Sequence, residues 1–352
     1  MKILVAGGGA VGSYLAGKLS LAKHDVVVLN RNLDYCGAVN RRGLTIVDEG
    51  VSSVASVRAY LELSDLFNKE GEFSLAIITV KGFSTRGLFE SMSSYFQHVE
   101  HYLSVQNGLG NEETILSFLS PDWLTAGSLT TAVTIKQPGR VEAENRGGLA
   151  LASILPGSPP GWEVDLFKKA RFRIQVRRDW KSMKWSKLLL NILANATCAL
   201  FDMSAEEVFG NPATFRLERE AFLEAVSIMK ANGLSPVSLP CQPVPFYAWA
   251  IRTLPEALLR AAFKRKMAKG RGNKLASLHL DFVQGKKETE WPYLYGALVE
   301  SAREKGIKAP VLETICFFLE EVSSGRIARQ TLWKNPELVI RQVLEAKRGL
   351  TR

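Results

Sequence analysis

Cysteine and histidine are scarce in this chain of 352 residues, which contains four of each. The cysteines stand far apart and form no C-x-x-C pair, and the histidines form no spaced set of ligands. These absences argue against a disulfide-stabilised fold and against a metal site, so we expect neither. Scattered cysteines without a disulfide pattern favour a cytoplasmic protein.

Long apolar runs are also missing. No stretch reaches the roughly 18 apolar residues of a membrane-spanning helix, and the nearest candidate, 188–201, contains Asn191 and Asn195. The apolar start of the chain is broken by glycines and lacks an Ala-x-Ala cleavage site, so we expect no secretory signal. The formal charge of +10 suits anionic partners. Because no nucleic-acid-binding motif accompanies it, a phosphorylated cofactor and an acidic small-molecule substrate explain part of it more economically.

The first dozen residues carry the most informative pattern. Lys2–Ala6 is an apolar run typical of a buried strand, and residues 7–12 read G-G-G-A-V-G, which fits G-x-G-x-x-G. A helical pattern over 13–22 and a strand over 25–30 complete the β-α-β unit that gives this motif its meaning. The glycines permit a tight turn and close approach of a pyrophosphate, and the helix N-terminus offers it free amides. The predicted dinucleotide-binding residues are Gly7, Gly9, Ala10, Val11 and Gly12.

The residues that follow the predicted strands indicate which dinucleotide binds. Arg31 stands near the position where NAD-binding proteins carry an acid for the ribose hydroxyls. Its guanidinium suits a 2′-phosphate instead, so we predict NADPH rather than NADH. Lys81 and Asn107 follow strands predicted at 75–80 and 101–106, and ligands bind beyond the carboxyl ends of such strands. We therefore expect both residues at the cofactor site.

The remaining pattern divides the chain in two. Strands are predicted at 44–47, 51–57, 128–136, 140–144, 149–154 and 172–176, and the pattern is helical from Trp180 onward. We predict an α/β fold with an N-terminal Rossmann-type doubly wound sheet and an all-helical C-terminal domain. The predicted domains are 1–178, for NADPH binding, and 179–352, for substrate binding and catalysis.

A buried helix predicted over Trp180–Leu200 is the candidate for the chemistry. Lys187, Asn191 and Asn195 stand at i, i+4 and i+8, which places them on one stripe of this otherwise apolar helix. Buried amides and an ammonium are costly without partners, so such a stripe normally faces a cleft or other polar groups. A desolvated lysine is a suitable general acid, which favours Lys187. Lys184 is the competing candidate, and we expect it to be solvated.

Several of these motifs occur in an order that is itself informative. The matching pieces are Gly7-x-Gly9-x-x-Gly12, Arg31, Val80-Lys81, Gln106-Asn107-Gly108-Leu109-Gly110, Trp185-Ser186-Lys187, Asn191, Ser277 to Asp281, Thr289-Glu290 and Gly306 to Pro310. Over nearly its whole length the chain resembles the ketopantoate reductase (2-dehydropantoate 2-reductase) family. The resemblance implies an NADPH-dependent oxidoreductase that reduces a 2-keto acid, with ketopantoate and pantothenate biosynthesis as the leading substrate and pathway.

The resemblance also implies roles for individual residues. The lysine that matches Lys187 protonates the substrate carbonyl oxygen, and the glutamate that matches Glu290 binds a substrate hydroxyl. Cofactor contacts are implied for Arg31 and Lys81, and cofactor or substrate contacts for Asn107, Asn191, Asn195 and Ser277. This chain departs from the family pattern at Pro292 and Tyr295, close to Glu290. Glu288 remains an alternative to Glu290.

Other interpretations stay open at this level. The chain could be an NADPH-binding regulatory protein on the same fold, or it could reduce a different carbonyl or an imine. The segment 234–274 is longer than in compact members of the family. We expect an amphipathic helical pair there, with a membrane surface, a substrate entrance or a subunit contact as alternatives. The oligomeric state is open, and a homodimer is compatible with the sequence.

Overall fold

The computed structural model describes residues 1–155, 157–270 and 275–349, without the side chains of residues 264–270. The chain forms two compact units. Unit 1 comprises Met1–Lys184 together with Leu239–Gln242, and unit 2 comprises Trp185–Ser238 and Pro243–Arg352. The sequence placed the boundary after residue 178, whereas the compact units divide after Lys184.

Unit 1 alternates strands and helices through its first half. Its strands are β1 (Lys2–Ala6), β2 (Asp25–Leu29), β3 (Leu44–Asp48), β4 (Val51–Ala55), β5 (Arg58–Tyr60), β6 (Leu75–Ile78), β7 (Tyr102–Ser104), β8 (Leu124–Leu129), β9 (Val133–Gln137), β10 (Arg140–Ala143), β11 (Leu149–Ser153) and β12 (Ile174–Val176). Its helices are α1 (Ala10–Leu21), α2 (Leu33–Arg42), α3 (Leu63–Glu70), α4 (Thr85–Met92), α5 (Asn111–Leu116) and α6 (Trp162–Lys169).

The larger sheet has the strand order β12-β11-β8-β7-β6-β1-β2-β5. Neighbouring strands are parallel except β8 and β11, which are antiparallel. From β1 the chain first builds outward through β2 and β5 and then returns to β6 on the other side. The carboxyl ends of β1 and β6 therefore mark the topological switch point, where ligands bind in doubly wound sheets. This order confirms the predicted fold class.

Strands β1 and β6 are apolar from Ile3 and from Leu75 to their carboxyl ends, because both sheet faces are covered. In β1, residues Ile3 to Ala6 are all fully buried. In β6, residues Leu75 to Ile78 are equally buried. Such continuous burial holds the carboxyl ends of β1 and β6 in fixed positions, and the site residues follow directly from these ends.

A smaller sheet, β4-β3-β10-β9, accounts for one wrong prediction. The sequence predicted a single strand over 128–136, but the chain there forms β8 in the large sheet and β9 in the small one. The hydroxyl of Thr130 donates to the carbonyl oxygens of Gly148 (3.1 Å) and Pro240 (2.8 Å) between the two strands. These bonds are made to distant residues, so the local sequence does not reveal the change of sheet.

Unit 2 is helical, as predicted. Its helices, beginning with one that starts in unit 1, are α7 (Trp180–Ile192), α8 (Asn195–Phe201), α9 (Ala205–Gly210), α10 (Pro212–Ala231), α11 (Val244–Thr253), α12 (Glu256–Gly270), α13 (Ser277–Val283), α14 (Ala297–Glu304), α15 (Pro310–Ser323) and α16 (Glu337–Gly349). A π-helical turn at Pro292–Gly296 precedes α14. None of the described helices is long and apolar enough to cross a membrane.

The predicted single helix over Trp180–Leu200 is wrong. It is two helices, because α7 ends at Ile192, Ala194 adopts a left-handed conformation with φ of 55°, and α8 begins at Asn195. No proline or glycine marks this break in the sequence. The backbone groups released there are bonded instead by side chains from distant parts of unit 2, as described below. Asn195 therefore does not continue the helical stripe of Lys187 and Asn191.

The long segment 234–274 contains α11 and α12, so it includes two helices. Its residues 271–274, and the side chains of the basic run 264–266, lie outside the described part. In the described portion, Leu259 is buried, whereas Trp249 and Leu258 are 52% and 62% exposed. The pair thus has one packed side and one side with exposed apolar groups.

Candidate active site

The glycine-rich loop joins β1 to α1 at the switch point. Gly7 has φ of 109°, and a Cβ atom there would lie 2.7 Å from the backbone nitrogen of Val80. A Cβ atom on Gly12 would lie 1.8 Å from the carbonyl oxygen of Gly7. Both positions therefore require glycine because the loop packs against its own backbone and against the residues after β6.

Gly9 differs from these two glycines because it faces open space. A Cβ atom there would meet no atom within 4 Å. Gly9 is also the N-cap of α1, and its position provides no side-chain hydrogen bond to the first amides of the helix. The exposed helix start and the missing side chain leave room for a phosphate to approach the α1 amides, in the way Rossmann-type proteins bind a pyrophosphate.

Arg31 lies just beyond the carboxyl end of β2 and is exposed. Its Nη2 atom lies 3.4 Å from the hydroxyl oxygen of Ser84, in the short helical turn that follows Lys81. The next residue, Asn32, caps α2 by accepting a hydrogen bond from the Tyr35 amide at 2.8 Å. The guanidinium therefore lies beside the loop after β6.

Lys81 and Asn107 follow β6 and β7, which are adjacent in the sheet. The buried side chain of Gln106 ties their two loops together by donating to the carbonyl oxygen of Val80 (2.9 Å) and to the Thr85 hydroxyl (2.8 Å). Asn111 donates to the carbonyl oxygen of Asn107 at 3.0 Å. Gln106 was not among the predicted site residues, although a polar residue that ends an apolar strand is a usable signal.

Lys184 is buried, so the expectation that it is solvated is wrong. Its side chain is 2% exposed, and its ammonium lies 2.7 Å from Oε1 of Glu112, whose side chain is 1% exposed. The ammonium also donates to the carbonyl oxygens of Gln106 (2.6 Å) and Gly127 (3.3 Å). Lys184 therefore fixes the peptide that precedes Asn107. The sequence could not show this because Glu112 and Gly127 are distant along the chain.

Lys187 and Asn191 lie on the least buried face of α7. Met183 to Ser186, Leu188, Leu189 and Ile192 are buried, whereas Lys187, Leu190 and Asn191 are partly exposed. The spacing of i, i+3 and i+4 puts these three residues on one face. Lys187 and Asn191 thus share an accessible strip of α7, and the rest of the helix from Ser182 to Ile192 is buried except for Leu190.

Asn195 and Ser277 are brought together although they are far apart in the sequence. The Asn195 amide nitrogen donates to the Ser277 hydroxyl at 3.2 Å, and its amide oxygen accepts from the Leu278 backbone at 3.1 Å. Asn195 is buried, whereas Ser277 is exposed at the start of α13. The contacts of Asn195 therefore position Ser277 and leave the serine accessible.

Glu290 and Glu288 differ in their surroundings. Glu290 is buried and directly precedes the helical stretch that begins at Trp291, and its carbonyl oxygen accepts from the Leu294 amide at 3.2 Å. Glu288 is exposed in the polar loop after α13. The two glutamates thus differ in burial and in their position relative to the helical stretch.

One cavity of unit 1 lies away from the glycine-rich loop. It encloses about 530 Å³ and lies at the other end of α1, lined by Lys18 and Leu21 of that helix and by Asp48 of β3. Its lining includes no residue of the 7–12 loop. Among the described residues, no group of three or more histidine, cysteine, aspartate or glutamate side chains could hold a metal ion.

A doubly wound sheet with a glycine-rich loop at its first βα turn defines the class of Rossmann-type dinucleotide-binding proteins. Profiles of known families identify the chain more closely. The profile for ketopantoate reductase PanE/ApbA matches residues 3–155, and the profile for the C-terminal part of the same family matches residues 179–323. The chain belongs to the ketopantoate reductase family. This family consists of NADP-dependent oxidoreductases, which confirms the predicted enzyme class and cofactor type.

Individual relatives agree with this assignment. The chain is 24% identical over 317 residues to a 2-dehydropantoate 2-reductase of Streptococcus pyogenes serotype M6, covering 90% of this chain and 95% of the relative. It is 26% identical over 320 residues to the 2-dehydropantoate 2-reductase of Pyrococcus abyssi, covering 88% and 94%.

Solved structures share the fold. A PanE/ApbA family ketopantoate reductase from Ralstonia eutropha JMP134 superposes with a TM-score of 0.76 and 22% identity, covering 94% of this chain and all of the other. A D-mandelate dehydrogenase, in a ternary complex with NADH and anilino(oxo)acetate, has a TM-score of 0.77 and 16% identity, covering 92% and 99%. At these identities the likeness concerns the fold alone.

Proposed function

We propose that this protein catalyses the NADPH-dependent reduction of a 2-keto acid to a 2-hydroxy acid, with ketopantoate as the leading substrate. The observation that carries the proposal is the accessible strip of α7, where Lys187 and Asn191 are partly exposed between the buried residues of the Ser182–Ile192 stretch. The same chain, a member of the ketopantoate reductase family, also contains the glycine-rich loop proposed to bind the dinucleotide. Pantothenate biosynthesis, a cytoplasmic location and a homodimeric state are further parts of the proposal.

The residues present fit NADPH. The open face of Gly9 and the first amides of α1 suit the pyrophosphate, and Arg31 suits the 2′-phosphate. Lys81 and Asn107, at adjacent strand ends, complete the proposed cofactor site. When bound, NADPH supplies a hydride to the carbonyl carbon of the substrate.

The proposed task of unit 2 is to bind the keto acid and to supply a proton. Lys187 donates its proton to the carbonyl oxygen, so that a hydroxyl group results and the developing negative charge is neutralised. Glu290 accepts a hydrogen bond from a substrate hydroxyl. Asn191, Asn195 and Ser277 provide amide and hydroxyl groups that orient the substrate.

The proposal is tested by NADPH oxidation at 340 nm with ketopantoate and a panel of other 2-keto acids. Turnover that is fastest with ketopantoate would support the proposal in full, whereas faster turnover of another keto acid would change only the substrate. NADPH binding without turnover on any carbonyl or imine substrate would contradict it and favour a regulatory protein on the same fold.

A further inference from the structure

The break between α7 and α8 is stabilised by one buried tyrosine. The Tyr295 hydroxyl donates to the carbonyl oxygen of Ile192 at 2.6 Å and accepts from the Ala196 amide at 3.0 Å. The side chain comes from the π-helical turn at Pro292–Gly296, and the residue is 1% exposed. A single hydroxyl thus bonds the last residue of α7 and the first turn of α8, whose backbone groups lose their helical partners at the break.

A second side chain bonds the same break. Glu218, buried on α10, accepts from the Ala194 amide at 2.7 Å with one carboxylate oxygen. Its other oxygen accepts from the Thr197 hydroxyl at 2.7 Å. Ala194 has φ of 55°, a conformation that alanine rarely adopts unless its surroundings impose it. Glu218 and Tyr295 together supply those surroundings.

The hydroxyl of Tyr295 keeps its proton and remains a hydrogen-bond donor at neutral pH. Burial, together with the nearby Glu218 charge, raises the pKa of Tyr295 well above its ordinary value of 10. The phenol is therefore neutral, as its bond to the Ile192 carbonyl requires.

The break determines where the proposed substrate groups stand relative to one another within unit 2. Lys187 and Asn191 lie on α7 before the break, whereas Asn195 is the first residue of α8 and positions Ser277. Glu290 lies five residues before Tyr295, and the Leu294 amide donates to its carbonyl oxygen at 3.2 Å. Tyr295 therefore connects the segments that carry all of these groups.

We propose that Tyr295 is a positioning residue for catalysis, which sets the geometry between Lys187 and Asn191 on α7 and Asn195 and Ser277 beyond the break. This inference rests on the proposed function. It gives a role to Tyr295, one of the positions at which the chain departs from the family pattern. The Tyr295 hydroxyl bonds two backbone groups, the Ile192 carbonyl and the Ala196 amide, so its effect on the reaction is indirect.

The test is the variant Tyr295→Phe, which removes the hydroxyl and keeps the ring. It should lower kcat for the keto acid at least tenfold, toward the roughly 100-fold that a misplacement of about 1 Å can cost. NADPH affinity, measured by fluorescence titration, should be unchanged because the proposed cofactor residues lie in unit 1. Glu218→Gln, which weakens the other clamp on the break, should lower kcat in the same direction.

Thr214→Val is the matched control. The Thr214 hydroxyl is fully buried in unit 2 and donates to the carbonyl oxygen of Val208 at 2.6 Å, which is not a group of the break. Its removal should lower the melting temperature as Tyr295→Phe does and leave kcat unchanged. This comparison separates positioning from general loss of stability.

Two outcomes would overturn the inference. One is a folded Tyr295→Phe protein with the kcat of the wild type, and the other is an equal loss of kcat in Thr214→Val. If Tyr295→Phe does not fold, a wild-type kcat in Glu218→Gln would overturn it. Failure of the proposed function is recognised separately, because the wild-type protein itself would then not reduce a 2-keto acid.

Discussion

Replacing Lys184 by methionine should destabilise unit 1 strongly. The substitution keeps the length of the side chain and removes the ammonium, which leaves the Glu112 carboxylate buried without its cation. The side chains of Lys184 and Glu112 are 2% and 1% exposed, so water cannot take over the interaction. The carbonyl oxygens of Gln106 and Gly127 lose a donor as well. Breaking one partner of a buried ion pair costs about 3–5 kcal/mol, and we expect a loss in that range.

Denaturant unfolding of Lys184→Met, followed by circular dichroism, measures this loss. Lys181→Met is the control, since Lys181 is an exposed residue of the same helix. Its effect should stay within about 0.5 kcal/mol. The double variant Lys184→Met/Glu112→Gln removes the isolated charge and should recover much of the loss. A Lys184→Met protein as stable as the control would refute the reasoning, and so would a double variant no more stable than Lys184→Met.

Three further predictions concern unit 1. Arg31→Ala should weaken NADPH binding about tenfold or more, because a charge-assisted bond to the 2′-phosphate is lost. The affinity for NADH should not change. Equal losses of affinity for both cofactors in fluorescence titrations would contradict this prediction. Gly9→Ala should leave the melting temperature unchanged, because its Cβ atom meets nothing within 4 Å, and should weaken NADPH binding; unaltered binding would show that the phosphate does not approach there. Bonds from Arg58, and then from Lys2 and Tyr60, hold the pKa of Glu70 at about 2 against an ordinary 4.5. The folded state therefore binds this proton less readily than the unfolded state, so Glu70 stabilises the fold above pH 4.5, and this contribution is lost as the pH falls from 4.5 toward 2. Glu70→Gln should lower the free energy of unfolding by about 1 kcal/mol at pH 6, a loss kept small by solvent screening of the half-exposed Arg58. The difference in unfolding free energy between variant and wild type should shrink as the pH falls. A difference that does not depend on pH would contradict this prediction.

The sequence predicted those features that depend on local pattern. The β-α-β unit around Gly7 to Gly12, the continuous apolar strands and the helical second half all follow from periodicity and turn residues. The parallel direction of the strands was predictable too, because strands alternate with helices through the first half of unit 1. The resemblance to a family then assigned roles to single residues, which pattern alone does not do.

What the sequence did not predict depends on contacts between distant residues. The Trp180–Leu200 stretch contains no proline or glycine, and the break at Ala194 depends on the distant residues Glu218 and Tyr295. Lys184 was expected in solvent because it lies near the polar start of the predicted helix, whereas in the fold it pairs with Glu112 in the interior. The change of sheet near Thr130 is likewise stabilised by Gly148 and Pro240. In each case a tertiary hydrogen bond overrides the local preference.

The central claim is that Lys187 supplies the proton in a reduction that uses NADPH, and the variant Lys187→Ala tests it most directly. Its kcat with the keto acid should fall by roughly the 10²–10⁴ that loss of a general acid costs. Its NADPH affinity should stay close to that of the wild type, because Lys187 belongs to unit 2 and the proposed cofactor residues belong to unit 1. A folded Lys187→Ala protein with near-normal turnover would contradict the account.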